Sequence, residues 1–368
     1  MAKSKLHELS ELGQSVWIDF LSRQLLQSGE LARMMEEDAV VGVTSNPTIF
    51  QKAIAAGNAY DEQFREVLAE EEDPKEVFLK LAVQDVKNAC DLLRQVWDGG
   101  HGQDGYVSIE VDPNLAFDTD GTIAEAQRLH ELVDKPNCFV KIPATKAGLP
   151  AIEEMIARGR NINVTLIFSL QRYVEVVEAY LRGLERLVES GGDPGPVASV
   201  ASFFVSRVDT EADRRLDEVG AADELKGKLA VANAKLAYER YQELFSGDRW
   251  EALEAKGARS QRCLWASTST KNPAYRDVIY VEELIGPKTV NTMPEETIEA
   301  FQDHGEVALT LERGLDEAKR VFEQIAEAGV DYDDVVATLE QEGVQKFADS
   351  FTELLDGVQA KRGELVSA

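Results

Sequence analysis

The sequence is poor in the residues that metal, redox and secretory proteins depend on. It has three cysteines, Cys90, Cys138 and Cys263, in 368 residues. Their number is odd and their spacing wide, so neither a CxxC zinc pair nor a disulfide framework is suggested. Reduced thiols in a cytoplasmic protein are the expectation. The four histidines, His7, His101, His130 and His304, all lie outside the apolar runs described below. Ser–His and Cys–His nucleophile pairs therefore have little support, and neither HExxH nor any other His/Asp grouping points to a metal. No stretch of ~18 apolar residues offers a spanning helix. The N-terminus, Met-Ala-Lys-Ser-Lys-Leu-His-Glu, lacks the apolar core of a signal peptide. Basic residues are outnumbered 39 to 67 by acidic ones, for a net charge of −28. Such an excess repels nucleic acid and anionic membrane, and neither is expected as a partner. A small anionic substrate remains admissible, because a few local cations can dominate one pocket.

What the chain does have is alternation. Hydrophobic residues make up 44% and charged residues 29%, which places it among globular proteins. Short runs rich in Val, Ile and Phe are separated by longer stretches of helical periodicity. The runs are Val16–Phe20, Val40–Thr44, Tyr106–Val111, Cys138–Ile142, Asn163–Phe168, Val197–Val205, Cys263–Ala266 and Thr289–Thr292. Several are almost continuously apolar, as parallel strands buried on both faces are. Between them, Leu79, Ala82, Val86, Cys90, Leu93 and Trp97 recur at steps of three or four, as do Tyr173, Val177, Tyr180, Leu184 and Val188. That spacing gives helices one apolar stripe. The glycine-rich stretches 99–105 and 191–195 mark the ends of two of them.

Eight β–α alternations predict an α/β fold, a (β/α)8 TIM barrel with additional helices at the C-terminus. Such a barrel needs roughly 250 residues, and the surplus suits extra helices. Residues 1–368 read as one domain, with 295–368 a helical extension packed on the barrel. An open doubly wound sheet is the structural alternative, weakened because no GxGxxG follows the first run. Gly286-Pro287-Lys288-Thr289 ends like a P-loop but lacks the earlier glycine and is set aside.

In a barrel of this kind the chemistry sits at the C-terminal ends of the strands. Polar residues crowd there: Asp19 on the first run, Asn46 after the second, Glu110 in the third, Lys141 in the fourth, Asn163 and Thr165 in the fifth, Ser202 and then Arg207 at the sixth, and Ser267, Thr268 and Lys271 beyond the seventh. Singly, each has a plain explanation: Asp19 a helix cap, Asn46 a turn before proline, Thr165 and Ser202 backbone hydrogen bonding. Glu110 and Lys141 are harder to dismiss, since a charge inside an apolar strand costs several kcal/mol unless paired. A structural Glu–Lys bridge between neighbouring strands is the competing account. A lysine so placed suggests amine catalysis, because burial disfavours an ammonium and a neutral amine attacks ketones. The resulting iminium stabilises the carbanion left when an adjacent carbon–carbon bond breaks.

At these residues the sequence resembles the transaldolase family. Gly42-Val43-Thr44-Ser45-Asn46-Pro47-Thr48-Ile49-Phe50 is similar to its N-terminal signature. Phe139-Val140-Lys141-Ile142-Pro143-Ala144-Thr145 resembles its Schiff-base segment, and Ile162-Asn163-Val164-Thr165-Leu166-Ile167-Phe168-Ser169 the strand that follows. The likeness runs in order from about Trp17 to about Pro294. It implies that Lys141 is the Schiff-base nucleophile. Glu110, Thr165 and a water would relay protons during imine formation, and Asp19 would take the proton of the C4 hydroxyl. Asn46, Asn163 and Ser202 would bind the dihydroxyacetone part, beside Phe204, and Arg207 the phosphate.

Family members commonly carry a second phosphate-binding arginine after strand seven. Here Ser269-Thr270-Lys271-Asn272 supplies Lys271, a point charge without the guanidinium fork. Ser202-Phe203-Phe204-Val205-Ser206-Arg207 also departs from the commoner Ser-Pro-Phe-Val-Gly-Arg. The implied reaction is reversible transfer of dihydroxyacetone from sedoheptulose 7-phosphate to glyceraldehyde 3-phosphate in the pentose phosphate pathway. It implies sugar-phosphate substrates and no metal or organic cofactor, and the family includes homodimers. Two rivals stand beside it. One is an aldolase of the fructose-6-phosphate aldolase type that releases free dihydroxyacetone, disfavoured by chain length and by Phe204 where those relatives tend to have tyrosine. The other is an inactive sugar-phosphate-binding barrel, which the set Asp19, Glu110, Lys141 and Thr165 argues against.

Overall fold

The computed structural model describes residues 3–367. Eight parallel strands occur in chain order: β1 Gln14–Ile18, β2 Val40–Val43, β3 Tyr106–Glu110, β4 Cys138–Pro143, β5 Ile162–Ile167, β6 Ser199–Phe204, β7 Arg262–Ala266 and β8 Thr289–Met293. Each pairs with the next, and β8 returns to β1 with Gln14 opposite Thr289 and Ile18 opposite Met293. That last pairing closes the barrel and removes the open-sheet alternative. The expected (β/α)8 architecture is what the chain adopts, each apolar run meeting its strand within two residues at either end. Nearly every strand residue is buried. The barrel interior takes one face and the helices take the other, which is why the runs are apolar without alternation.

Local signals start the helices. Asp73 caps the helix Pro74–Gly99 by accepting from the Lys75 amide, and Pro74 sits where no intrahelical donor is needed. Ser169 caps Leu170–Glu189 by accepting from Arg172 N, and Tyr173, Val176, Val177, Tyr180 and Leu184 form the stripe that this helix buries. The surplus length is spent in two places. Between β2 and β3 lie the helices Pro47–Ala55, Asp61–Leu68 and Pro74–Gly99, and after β8 lie Glu295–His304, Leu315–Glu327 and Tyr332–Ser367.

The last helix crosses the C-terminal end of the barrel. Thr48 Oγ1 donates to Ser350 Oγ at 2.9 Å, and the Tyr332 hydroxyl accepts from Leu170 N at 3.1 Å. Its Gly343 lies so close to β5 that a Cβ there would stand 3.0 Å from the Leu166 side chain. Glycine is what lets the helix settle at that distance.

Alternation along each strand decides which side chains enter the barrel. One face carries Trp17, Gly42, Tyr106, Phe139, Val200 and Arg262 near the N-terminal end, and Lys141, Asn163, Thr165, Ser202 and Phe204 toward the other. The N-terminal layer is packed with rings: Tyr106 stacks on Phe139 at 4.2 Å, and Trp17 lies 6.0 Å from Phe139. Gly42 makes room for the indole, since a Cβ there would come within 2.5 Å of it.

Candidate active site

Seven of the eight strands, or the residues just past their ends, line one cavity of about 420 Å³ at the C-terminal end of the barrel. Asp19, Asn46, Lys141, Asn163, Thr165, Ser202, Phe204, Arg207 and Lys271 all border it. Glu110 does not; it stands beside Lys141. Strand register explains the grouping, since Glu110 pairs with Lys141 across β3–β4 and Lys141 with Asn163 across β4–β5. Neighbouring parallel strands thus place an acid, an amine and an amide side by side.

The Lys141 amine is buried. It donates to the Ser45 carbonyl at 2.9 Å and lies 3.5 Å from Glu110 Oε2. A relay of hydrogen bonds fixes its neighbours: Ser202 Oγ donates to Asn163 Oδ1 at 2.7 Å, and Asn163 Nδ2 donates to Ser108 Oγ at 3.2 Å. The Thr165 hydroxyl is buried without a partner. A buried hydroxyl left unpaired forfeits free energy, and this one borders the cavity, where a ligand or water can reach it. The bulge in β5 at this point carries Leu166 in the left-handed region, at φ 58°. Ser267, at the end of β7 and on the cavity wall, has φ 55°. Non-glycine residues in that region cost on the order of 1–3 kcal/mol and concentrate at functional sites.

Two carboxyls face opposing forces. Burial raises Glu110 above the ordinary glutamate range, and the Lys141 charge only partly offsets this. Burial likewise raises Asp19, against the pull of Lys141, a hydrogen bond from Thr44, and Arg207. Asp19 Oδ1 accepts from Thr44 Oγ1 at 2.6 Å, and Thr44 in turn meets Thr292 Oγ1 at 2.7 Å. Both acids are therefore poised to carry a proton closer to neutrality than free carboxyls would.

The cations sit at the rim. Arg207 is on the helix Val205–Glu218, which begins directly after β6. Its guanidinium lies 5.0 Å from the Phe204 ring and 5.8 Å from Phe347. Burial lowers its pKa, opposed by Asp19, Glu110 and Glu342. Among the described residues it has no ion-pair partner within 4 Å. Lys271 is exposed and donates to Ser269 Oγ at 2.8 Å. Ser206, which stands where the commoner motif has glycine, clasps the end of β7: its amide donates to Ser267 O at 3.0 Å and the two hydroxyls meet at 2.8 Å.

Some of the plain explanations coexist with the site. Asn46 caps Pro47–Ala55 by accepting from Ile49 N at 3.0 Å, which leaves its amide nitrogen for a ligand. Asp19 is not a cap; Ser22 caps the next helix. Thr268 is spent on Asn291 Oδ1 at 3.0 Å.

The sequence reading gave no role to Thr44, Thr292, Lys52 or Phe347, all on the cavity wall. The strand-end rule could have found the two threonines. Lys52 lies two turns into the helix capped by Asn46, where only its position gives it away. Phe347 comes from the far end of the chain, and no local pattern marks it.

The model of the family described as transaldolase/fructose-6-phosphate aldolase matches residues 16–358. The chain belongs to this family. A transaldolase of Frankia alni is 54% identical over 361 residues, covering 97% of each chain. One of Mycolicibacterium paratuberculosis is 54% identical over 362 residues with the same coverage. Transaldolase 2 of Streptomyces avermitilis is 52% identical over 359 residues, 97% of this chain and 96% of its own. Among the described residues no group of three or more His, Cys, Asp or Glu side chains could hold a metal ion, and no helix is long and apolar enough to cross a membrane.

Proposed function

We propose that this chain is a transaldolase that moves a dihydroxyacetone unit between sugar phosphates through a Schiff base on Lys141. The observation that carries the reading is a buried amine beside a buried acid, at the base of a cavity rimmed by Arg207 and Lys271. The Lys141 amine attacks the ketone carbon of the donor. Glu110, through Thr165 and a water, supplies the proton with which the carbinolamine hydroxyl leaves. Asp19 then removes the C4 hydroxyl proton, the C3–C4 bond breaks, and the electron pair enters the iminium to give an enamine. The aldose departs, an acceptor aldehyde takes its place, and Asp19 returns the proton as the new bond forms; water then adds to the resulting iminium, and its hydrolysis frees the product ketose and the Lys141 amine. Asn46, Asn163 and Ser202 hold the three-carbon unit in place, and Arg207 and Lys271 hold the phosphate. Donor and acceptor are sedoheptulose 7-phosphate and glyceraldehyde 3-phosphate; the products are erythrose 4-phosphate and fructose 6-phosphate. We read residues 1–368 as one domain, with 295–368 a helical extension packed on the barrel. With all three cysteines free and buried, we place the protein in the cytoplasm.

Borohydride added with fructose 6-phosphate should inactivate the enzyme and leave a ketose-derived mass on the peptide that contains Lys141. A label on another lysine, or full activity in Lys141→Met, refutes the assignment. The family's own description spans transferase and aldolase, so the acceptor decides between them. Fructose 6-phosphate consumption should depend on added aldose phosphate, whereas steady release of free dihydroxyacetone without acceptor would make the enzyme an aldolase.

A further inference from the structure

The N-terminal end of the barrel holds a second cavity, about 440 Å³, as large as the first. Tyr106, Phe139, Val200 and Arg262 form its base, on the same strand faces that carry the catalytic candidates farther along. Its walls are the turn 100–103, Arg259 and Lys288. The N-terminal face of such a barrel is ordinarily a place for stability, and part of this one is. Arg262 pairs with Asp104 at 3.0 Å and donates to Ser15 Oγ at 2.9 Å.

The other two cations are not neutralised. Arg259 donates to the carbonyls of His101, at 2.7 Å, and Gly102. Those neutral acceptors position the guanidinium while leaving its charge uncompensated and most of its five donors unspent. Lys288 is exposed and, like Arg259, has no ion-pair partner among the described residues. No carboxylate lines the cavity, in a chain that carries 67 acidic residues. Two of the six described non-glycine residues with positive φ, His101 at 50° and Lys288 at 57°, lie on its rim. Lys288 is thus presented from a backbone conformation that costs free energy.

We propose that this cavity is a binding site for a small phosphate-bearing metabolite, separate from the active site. The unpaired guanidinium takes phosphate oxygens through its fork, and Lys288 adds a point charge. The ring layer beneath offers an apolar base for the body of the ligand. The site gathers two cations without ion-pair partners in a chain of net charge −28, and such a local excess concentrates anions.

The probe is radiolabelled inorganic phosphate in equilibrium dialysis with the full-length protein. Wild type should bind it in two classes of site. Lys288→Glu puts a carboxylate at an exposed position of the second cavity; it should weaken one class by tenfold or more and leave ketol transfer unchanged. Arg259→Gln, its fold checked by thermal melting, should weaken the same class. Arg207→Ala should weaken only the other class, which separates a failure here from a failure of the active-site reading. A single class in wild type, or two undiminished classes in Lys288→Glu, overturns the proposal. Displacement from the Lys288-dependent class by equimolar succinate would also overturn it, by showing a general anion trap without preference for phosphate.

Discussion

Arg23 and Asp85 form one buried ion pair, Lys141 and Glu110 another, and the two are finished differently. Asp85 Oδ1 accepts from Arg23 Nε at 2.9 Å, and its Oδ2 accepts from the Tyr60 hydroxyl at 2.7 Å. Tyr60 in turn accepts from Arg23 N at 3.0 Å, and the guanidinium lies 4.5 Å from its ring. Burial raises the Asp85 carboxyl, but both of its oxygens have partners. Glu110 lies 3.5 Å from its amine, with the unpartnered Thr165 hydroxyl also in the buried site. Saturation makes the first pair a clamp between the start of the helix Arg23–Gln27 and the helix Pro74–Gly99. Incomplete saturation leaves the second pair open to the proton transfers we propose for it.

Replacing the proposed nucleophile tests this contrast most sharply. Lys141→Met should lower turnover on the order of 10⁶-fold, as loss of a covalent nucleophile does elsewhere. Its urea midpoint should move little, because methionine fills similar volume, within about 1.5 kcal/mol, and Glu110 can sit protonated. A collapse of stability would instead make Lys141–Glu110 a structural bridge. Asp19→Ala comes next. General acid–base groups contribute about 10²–10⁴-fold, and turnover should fall by that much while borohydride still traps a ketose adduct. Loss of the adduct in a folded protein would show that Asp19 acts before the imine forms.

Asp85→Ala should do the reverse. Stranding a buried guanidinium costs about 3–5 kcal/mol, read as a lower urea midpoint at unchanged m-value. Activity per folded molecule should stay near wild type. If activity falls with stability intact, the clamp is part of the catalytic apparatus and the contrast is wrong.

The two pairs were not equally visible in the sequence. Glu110 and Lys141 stand out because they interrupt apolar strand runs, where a charge demands a reason. Arg23 and Asp85 sit among polar helix residues and look like solvated surface; only the packing of Pro74–Gly99 against the chain near Arg23 buries them. The strands were legible for a related reason. Double burial forces continuous apolar runs, so composition alone marks them. Long-range placement left no such trace: Phe347 reaches the cavity from a helix that begins 39 residues after β8 ends, and nothing in its neighbours differs from an ordinary helix stripe. The rim cations fall between these cases, their positions after β6 and β7 being readable while their lack of acidic partners was not.

Those rim cations give a smaller expected effect. A charge-assisted contact is worth about 1.5–3 kcal/mol, so Arg207→Ala should raise KM for fructose 6-phosphate by roughly one to two orders of magnitude. Lys271→Ala should cost less, since an exposed ammonium grips without a fork. Both variants should lose far less toward unphosphorylated fructose. Equal losses on the two donors would move these residues from phosphate binding to the fold.

A third buried acid lies between the two pairs in kind, and its effect accrues gradually with pH. Asp209 has hydrogen bonds but no cation: Oδ1 accepts from Ala230 N at 2.7 Å and Oδ2 from the Tyr280 hydroxyl at 2.7 Å. Burial pushes its pKa up to about 7, against those two donors. The folded state therefore holds the proton more tightly than the unfolded state, whose aspartate titrates near ~3.9. As pH rises from about 4 toward 7, the unfolded chain releases this proton first, and stability falls by at most about 1.4 kcal/mol per pH unit. Above the folded pKa the loss is complete and the curve flattens. Asp209→Asn keeps the acceptor for Ala230 and offers an amide donor to the tyrosine oxygen, without a proton to titrate. Urea midpoints of wild type and variant should converge near pH 4 and separate toward pH 8, with the variant the more stable at the alkaline end. Asp213 lies nearby, raised by burial and hydrogen-bonded by Tyr275; it repels the Asp209 carboxylate, so Asp213→Asn is measured alongside to separate the two. Parallel curves would mean that two hydrogen bonds suffice to keep a buried carboxylate ionised, and that the cation in the Arg23–Asp85 pair adds less than its geometry implies.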